Sequence, residues 1–115
     1  MNILKSFVFF IFILSTVSCK KNDITIYNLG FKEWSDINVT AGGNTFEIKK
    51  LKPGANHSIP FRSMEEGDGT ISATLDGAIH SQNFGYFTPN LSESYEIMLK
   101  DDSSIWINVV ENADN

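Results

Sequence analysis

The sequence predicts an all-β domain, an antiparallel β-sandwich of seven or eight short strands that follows an N-terminal export signal. From Ile24 onward apolar and polar residues alternate with a period of two, and turn residues recur about every eight to twelve positions. No stretch of this region sustains the apolar period of a helix. Because each short strand then has one apolar face, two packed sheets are the arrangement that buries those faces.

The first half of the domain is predicted to contain a strand, a hairpin and a corner. Residues 24–27 alternate and form the first strand, and residues 37–49 form a hairpin that turns at a Gly-Gly pair. Pro53 and the glycine after it suit the two central positions of a type II turn. Residues 57–61 form the next strand, and Pro60 within it indicates a sheet edge or a strand end.

Residues 70–84 are predicted to form a second hairpin around Asp76 and Gly77. An Asp-Gly pair is a strong hairpin signal because a type I′ turn needs two residues that tolerate positive φ. If the loop has two residues, Leu75 pairs with Ala78. A three-residue loop would turn the return strand over, so the alternation by itself leaves the register open.

The last part of the domain is predicted to contain an aromatic loop and two strands. Residues 85–90 form the loop, which closes with a Pro-Asn pair. Residues 95–99 and 105–110 alternate and form the strands, joined by a turn at residues 100–104. On the final strand Trp106 occupies the face opposite the predicted core.

Residues 1–18 carry the pattern of an export signal. Lys5 supplies a positive charge, residues 7–14 are an unbroken apolar run of eight, and small residues precede Cys19. A membrane-spanning helix needs about 20 apolar residues, so this run is too short to cross a bilayer. We therefore predict that the segment directs export and is absent from the mature chain.

The residues around Cys19 resemble the lipobox of bacterial lipoproteins. Val17 and Ser18 fit the two positions before the cysteine, whereas Thr16 stands where that family favours leucine. The resemblance implies that Cys19 becomes the lipid-modified first residue of a membrane-anchored protein, in the periplasm or on the cell surface. The alternative is ordinary cleavage near Ser18 or Cys19, which would release a secreted domain.

Cys19 is also the only cysteine in the chain. A single thiol cannot form an intramolecular disulfide, and an unpaired cysteine in an exported protein requires an explanation. Thioether attachment to lipid supplies one. The predicted organisation is therefore a signal peptide at 1–18, a lipidated cysteine and short tether at 19–23, the sandwich at 24–111 and a polar tail at 112–115.

Charge and residue types exclude several classes of function. The chain has nine basic and 14 acidic residues, and removing Lys5 with the leader leaves eight against 14, a net charge of −6. Such a surface disfavours nucleic acid, whose binding needs clustered lysine and arginine. No Gly-x-Ser-x-Gly turn is present, and His57 and His80 lack a third ligand at metal-binding spacing. We expect no enzyme activity, no cofactor and no metal.

The order of turns in the first half resembles bacterial immunoglobulin-like modules of the CARDB and fibronectin-III-like kind. A strand ends in Asn28-Leu29-Gly30, a hairpin follows, and a Leu-x-Pro-Gly corner at residues 51–54 leads into the next strand. The cysteine pair of antibody domains is missing. The resemblance implies an immunoglobulin-like sandwich and no particular activity, because many unrelated functions share that fold.

Aromatic residues away from the predicted core are the candidate binding residues. Trp34, Tyr86, Phe87 and Trp106 lie in predicted loops or on the outward face, and exposed Trp and Tyr are common anchors for protein or sugar partners. The alternative is that Trp34 and Tyr86 close the ends of the sandwich and that Trp106 packs under a loop.

These observations predict a lipid-anchored, exported binding or structural module of the bacterial cell envelope. Its partners would be the membrane, through Cys19, and an unknown protein or glycan. The alternative is an exported inhibitor or immunity-type protein that neutralises a toxin or hydrolase, since an acidic domain can be steered into a basic cleft.

Overall fold

The computed structural model describes residues 21–110, which fold into two packed four-stranded sheets. Residues 1–18, Cys19 and the predicted tail lie outside the described part of the chain. The first sheet has the order β4-β1-β7-β8 and the second β3-β2-β5-β6. The strands are β1 Lys21–Asn28, β2 Trp34–Ala41, β3 Asn44–Leu51, β4 Asn56–Arg62, β5 Gly67–Leu75, β6 Ala78–Phe87, β7 Ser94–Leu99 and β8 Ile105–Val110.

The all-β sandwich predicted from the alternation is confirmed, with one departure from antiparallel pairing. β1 and β7 are neighbours that run parallel, so both strands begin at the same end of the sandwich. The other strand pairs are antiparallel. β1 and β2 lie in different sheets, whereas the first two strands of an immunoglobulin constant domain share one.

The two ends of the sandwich differ in what they carry. At the near end β1 starts at Lys21, and the connections at residues 42–43, 63–66 and 88–93 lie there. The opposite, far end carries the connections at residues 29–33, 52–55, 76–77 and 100–104. The N-terminus of the described domain and its exposed far-end loops are therefore a full strand length apart.

β1 begins three residues earlier than the predicted boundary at Ile24. Lys21 pairs with Arg62, and the Asn22 side chain is buried, so residues 21–23 belong to the sheet and not to a tether. The Asn22 amide donates to the Ser63 hydroxyl over 3.3 Å. A polar run is the sequence signal of a linker, but here hydrogen bonds compensate for the burial of the polar group.

The core consists of the inward faces of both sheets. An aromatic cluster joins them at the near end: the ring centroid of Phe87 is 5.5 Å from that of Phe61, 5.9 Å from that of Phe84 and 5.3 Å from that of Tyr95. Aromatic pairs at such separations and tilted orientations are favourable beyond the area they bury. The buried apolar residues are Ile24, Ile26, Trp34, Ile37, Val39, Ala41, Leu51, Ile59, Phe61, Ile71, Ala73, Leu75, Phe84, Phe87, Tyr95, Ile97 and Leu99.

The predicted tight turns are confirmed. The Ala55 N–H donates to the Lys52 carbonyl over 3.0 Å and Gly54 has φ of 79°, as a type II turn requires. Leu75 pairs with Ala78 across a two-residue loop whose residues have φ of 52° and 80°. Positive φ at both positions is the type I′ geometry that matches the twist of the flanking strands.

Two β-bulges interrupt the alternation. The register of β2 against β5 shifts between Ser35 and Asn38, where Asp36 has φ of 47°. The register of β5 against β6 shifts between Asp68 and Gly69, opposite Gly85 with φ of 61°. An extra residue in one strand moves the following side chain to the other face. Both bulges lie within three residues of a predicted surface aromatic.

The far-end loop at residues 29–33 is held from two sides. The buried Asn28 amide group donates to the Lys32 carbonyl over 2.8 Å and to the Leu51 carbonyl over 2.9 Å, and its oxygen accepts from the Gly30 N–H. The Asp101 carboxylate accepts from the N–H groups of Phe31 and Lys32. The loop thus has a fixed backbone although the Phe31 side chain is 93% exposed.

Candidate functional site

Two of the four predicted binding aromatics are core residues. The Trp34 and Phe87 side chains are both 0% exposed, so neither presents surface to a partner. The sequence predicted both residues in connecting loops, Trp34 before the second strand and Phe87 in the loop at residues 85–90. The bulge at Asp36 turns Trp34 inward together with Ile37. Phe87 is likewise part of β6 and not of a loop, and the bulge at Gly85 turns it inward.

The other two aromatics are exposed but do not form one site. Tyr86 is 50% exposed and lies on β6 of the second sheet, at the near end. Its hydroxyl contacts the Glu66 carboxylate at 3.5 Å, and the charge of Glu66, together with partial desolvation, raises the pKa of Tyr86. Trp106 is 56% exposed on β8 of the first sheet, close to the far end. Tyr86 and Trp106 therefore do not form a shared aromatic patch.

The structure instead places Trp106 in a row of large side chains across the outer face of the first sheet. Tyr27 pairs with Met98, and Met98 pairs with Trp106, on three adjacent strands. Each of the first two lies between buried neighbours along its own strand and so points outward. We call Tyr27, Met98 and Trp106 the outer row. Neighbouring strands are about 4.8 Å apart, so the backbones of Tyr27 and Trp106, two strands apart, are separated by roughly 9.6 Å.

A polar row runs beside the outer row and is organised by Glu96. Tyr27 donates its hydroxyl to Glu96 Oε2 over 3.3 Å, and Asn108 donates its amide to Glu96 Oε1 over 2.9 Å. The hydroxyls of Thr25 and Ser58 are 3.1 Å apart on the neighbouring strands. Partial desolvation and the Glu96 carboxylate raise the pKa of Tyr27. Glu96 retains lone pairs that can accept from a partner.

The Trp106 ring is fixed from one side by a lysine. The Nζ atom of Lys100 lies 3.5 Å from the ring centroid, which is a cation–π contact. Toward the near end the same face continues into an open depression of about 450 Å³ lined by Asp23, Ser58, Pro60 and Ser94. The outer face therefore offers stacking surface, hydrogen-bonding groups and a shallow concavity on rigid strands.

Tyr27, Met98 and Glu96 are site residues that were not predicted from the sequence. A signal for them was present, because all three occupy outward positions of strands that were predicted correctly. Their proximity depends on β1 pairing with β7, which is about 70 positions later in the chain. Alternation gives the face of each residue but not the partner of its strand.

Residues 21–110 contain no group of histidine, cysteine, aspartate or glutamate side chains that could hold a metal ion. His57 is exposed on β4, whereas His80 on β6 packs edge-on against Trp34, with ring centroids 5.9 Å apart. The two histidines thus lie on different sheets. The described part of the chain also contains no helix long and apolar enough to cross a membrane.

Comparison with known proteins gives a likeness of fold. No protein-family model and no curated protein matches the chain. An NMR structure of a protein from Eubacterium rectale is similar over 84% of this chain and 94% of that one, with 16% identity and a TM-score of 0.52. A non-hemolytic pneumolysin from Streptococcus pneumoniae is similar over 82% of this chain but 24% of its own, with 10% identity and a TM-score of 0.47.

Proposed function

We propose that this protein is a non-catalytic binding module that is exported and anchored by lipid at Cys19 in the bacterial cell envelope. The observation that supports a binding role is the outer face of the first sheet, where the outer row lies beside the Glu96 network. Exposed aromatic side chains held on strands lose little conformational entropy on binding, which favours them as anchors. The partner is an envelope protein or glycan.

The position at which β1 begins would determine how the sandwich is oriented at the membrane. Cys19 precedes Lys21, the first residue of β1, by two positions. A lipid on Cys19 would therefore hold the near end of the sandwich at the membrane surface, with no long linker. The far-end loops would point away from the bilayer, and the outer face would stand beside it. Tethering would raise the local concentration of this face for envelope partners.

Replacing the anchor cysteine tests localisation. We expect Cys19→Ala to abolish incorporation of a tagged fatty acid and to move the protein out of the membrane fraction, because no other cysteine can form the thioether. Metabolic labelling followed by membrane fractionation measures both effects. Ser18→Ala is the matched control, since it keeps a small residue before the cysteine and should label normally. Equal labelling of Cys19→Ala and wild type would exclude lipidation at this residue.

Truncating the outer row tests the binding face. We expect Trp106→Ala to weaken capture of the envelope partner at least about tenfold, or about 1.4 kcal/mol, because Trp is the commonest hot-spot residue type. The measurement is pull-down from envelope extract with mass spectrometry and sugar analysis, followed by titration of the captured partner. Phe31→Ala is the control, because Phe31 is a 93% exposed aromatic residue in the far-end loop and is not part of the outer row.

The outcome of the capture also separates the two functional classes. Binding of envelope polymer or several weak partners fits a scaffold or adhesion module. One tight, stoichiometric hydrolase or toxin would favour the inhibitor function instead. If Trp106→Ala lowers partner capture only in proportion to its loss of folding stability, Trp106 has a purely structural role. In that case the outer row is not the binding surface.

A further inference from the structure

The sandwich has two open sides, each formed by one edge strand from each sheet. β3 and β4 contact each other on one side, and β6 and β8 contact each other on the other. An edge strand leaves a row of backbone N–H and C=O groups unpaired, and natural proteins protect such rows with charges, proline or bulges. The two sides can therefore be compared for protection within a single molecule.

The β3–β4 side is protected and the β6–β8 side is not. β3 carries Glu47, Lys49 and Lys50, and β4 carries Pro60 and Arg62. β6 is the longest strand, with ten residues, and neither it nor β8 contains a lysine, arginine, aspartate, glutamate or proline. The bulge at Gly85 affects only the last part of β6. The unprotected rows thus lie together on one side.

The strands of the β6–β8 side also carry exposed apolar side chains. Within the strands of residues 21–110, the large hydrophobic side chains that are exposed all belong to β6 or β8. They are Ile79 at 74%, Tyr86 at 50%, Trp106 at 56%, Val109 at 56% and Val110 at 39% exposure. Uncharged edges combined with apolar exposure are the features of a strand-pairing interface.

We propose that the β6–β8 side is the interface with a second copy of this chain. A two-fold axis perpendicular to the sheets would pair β6 with the partner's β6 and, by the same operation, β8 with the partner's β8. Both contacts are antiparallel, the more stable kind of pairing, and each is isologous as a two-fold axis requires. An extended segment of another protein would occupy one of the two edges, whereas a second copy occupies both.

Two consequences follow from this symmetry. The two first sheets would become one eight-stranded sheet, so the outer rows of both copies would lie on one continuous face. The near ends would point in opposite directions, because strands related by such an axis run antiparallel. Two copies paired in this way could not both be anchored through Cys19 in one bilayer, so the inference concerns the domain free of the membrane, and it rests on the edge strands alone.

Sedimentation of the domain without its leader tests the proposal. Residues 20–115 retain all eight strands and the whole core, so this domain should fold on its own. We expect a reversible monomer–dimer equilibrium between micromolar and millimolar concentration. The double change Ser81→Lys with Asn83→Lys should weaken dimerisation at least about tenfold, because like charges would face each other across the new pair.

Thr45→Lys is the matched control, since it adds an exposed lysine to β3 on the protected side and should leave the equilibrium unchanged. Hydrogen exchange of the wild type gives a measurement free of any folding defect. Amides of β6 and β8 should become protected as concentration rises, and those of β3 and β4 should not. A monomer at every concentration, or dimerisation that Thr45→Lys disrupts and the β6 lysines do not, would overturn the proposal.

Discussion

Trp34→Ala is expected to lower the free energy of unfolding by about 3–5 kcal/mol, the range for truncating a large buried aromatic side chain. Trp34 begins β2 and is 0% exposed, and its ring packs edge-on against the His80 ring at the far end of the core. Removing it would leave a cavity that strands fixed in two sheets cannot close. Chemical denaturation followed by circular dichroism measures the loss.

Two matched variants separate the core role from a surface role. Trp106→Ala should change the stability by less than about 1 kcal/mol, because Trp106 is more than half exposed. Trp34→Phe should cost less than Trp34→Ala, because the Phe ring fills most of the cavity that Ala leaves, while both changes remove the indole N–H, which is buried without a hydrogen-bond partner among residues 21–110. Equal destabilisation by the Ala variants of both tryptophans would contradict the buried position of Trp34.

Gly85→Ala is expected to cost about 2–5 kcal/mol, the second large effect, because two unfavourable contributions add. Gly85 has φ of 61°, where a residue with a Cβ is disfavoured by about 1–2 kcal/mol. A Cβ at this position would also overlap the Tyr95 ring, with its Cε1 atom at 2.9 Å and its hydroxyl closer still. Overpacking of that kind adds about 1–3 kcal/mol. Thermal and chemical denaturation measure the sum.

Gly77→Ala isolates the backbone contribution. Gly77 has φ of 80°, but no atom lies within 4 Å of a Cβ built there. Its substitution should therefore carry only the conformational penalty of about 1–2 kcal/mol. If Gly85→Ala were no more destabilising than Gly77→Ala, the close packing of β6 against Tyr95 would be absent in solution, and so would the bulge that turns Phe87 into the core.

The two bulges account for the largest errors of prediction from sequence. Alternation assigns a face by counting positions, and one extra residue reverses every assignment beyond it. Gly85 carried a weak signal, since a lone glycine in a strand often marks a bulge. Asp36 carried less, because a non-glycine residue at positive φ is uncommon. Trp34 and Phe87 lie just beyond the two bulges, where the alternation breaks and loops were predicted, although both side chains are fully buried in strands.

The boundary at Ile24 failed for a different reason. Asn22 reads as a linker residue, but it is 2% exposed and its amide oxygen accepts from the Glu93 N–H over 2.9 Å. A buried polar side chain is stable only where its partners lie, and those partners, Ser63 and Glu93, come from distant parts of the chain. Local composition contains no information about them.

Local sequence was sufficient to predict the strands and their approximate positions, the Pro53-Gly54 and Asp76-Gly77 turns, and the apolar face of each regular strand. These features depend on backbone preferences and on a period of two, both of which are local. The parallel pairing of β1 with β7, the bulges and the unprotected side of β6 and β8 became visible only in the folded molecule. They depend on which strands become neighbours, and contacts between residues far apart in the chain decide that.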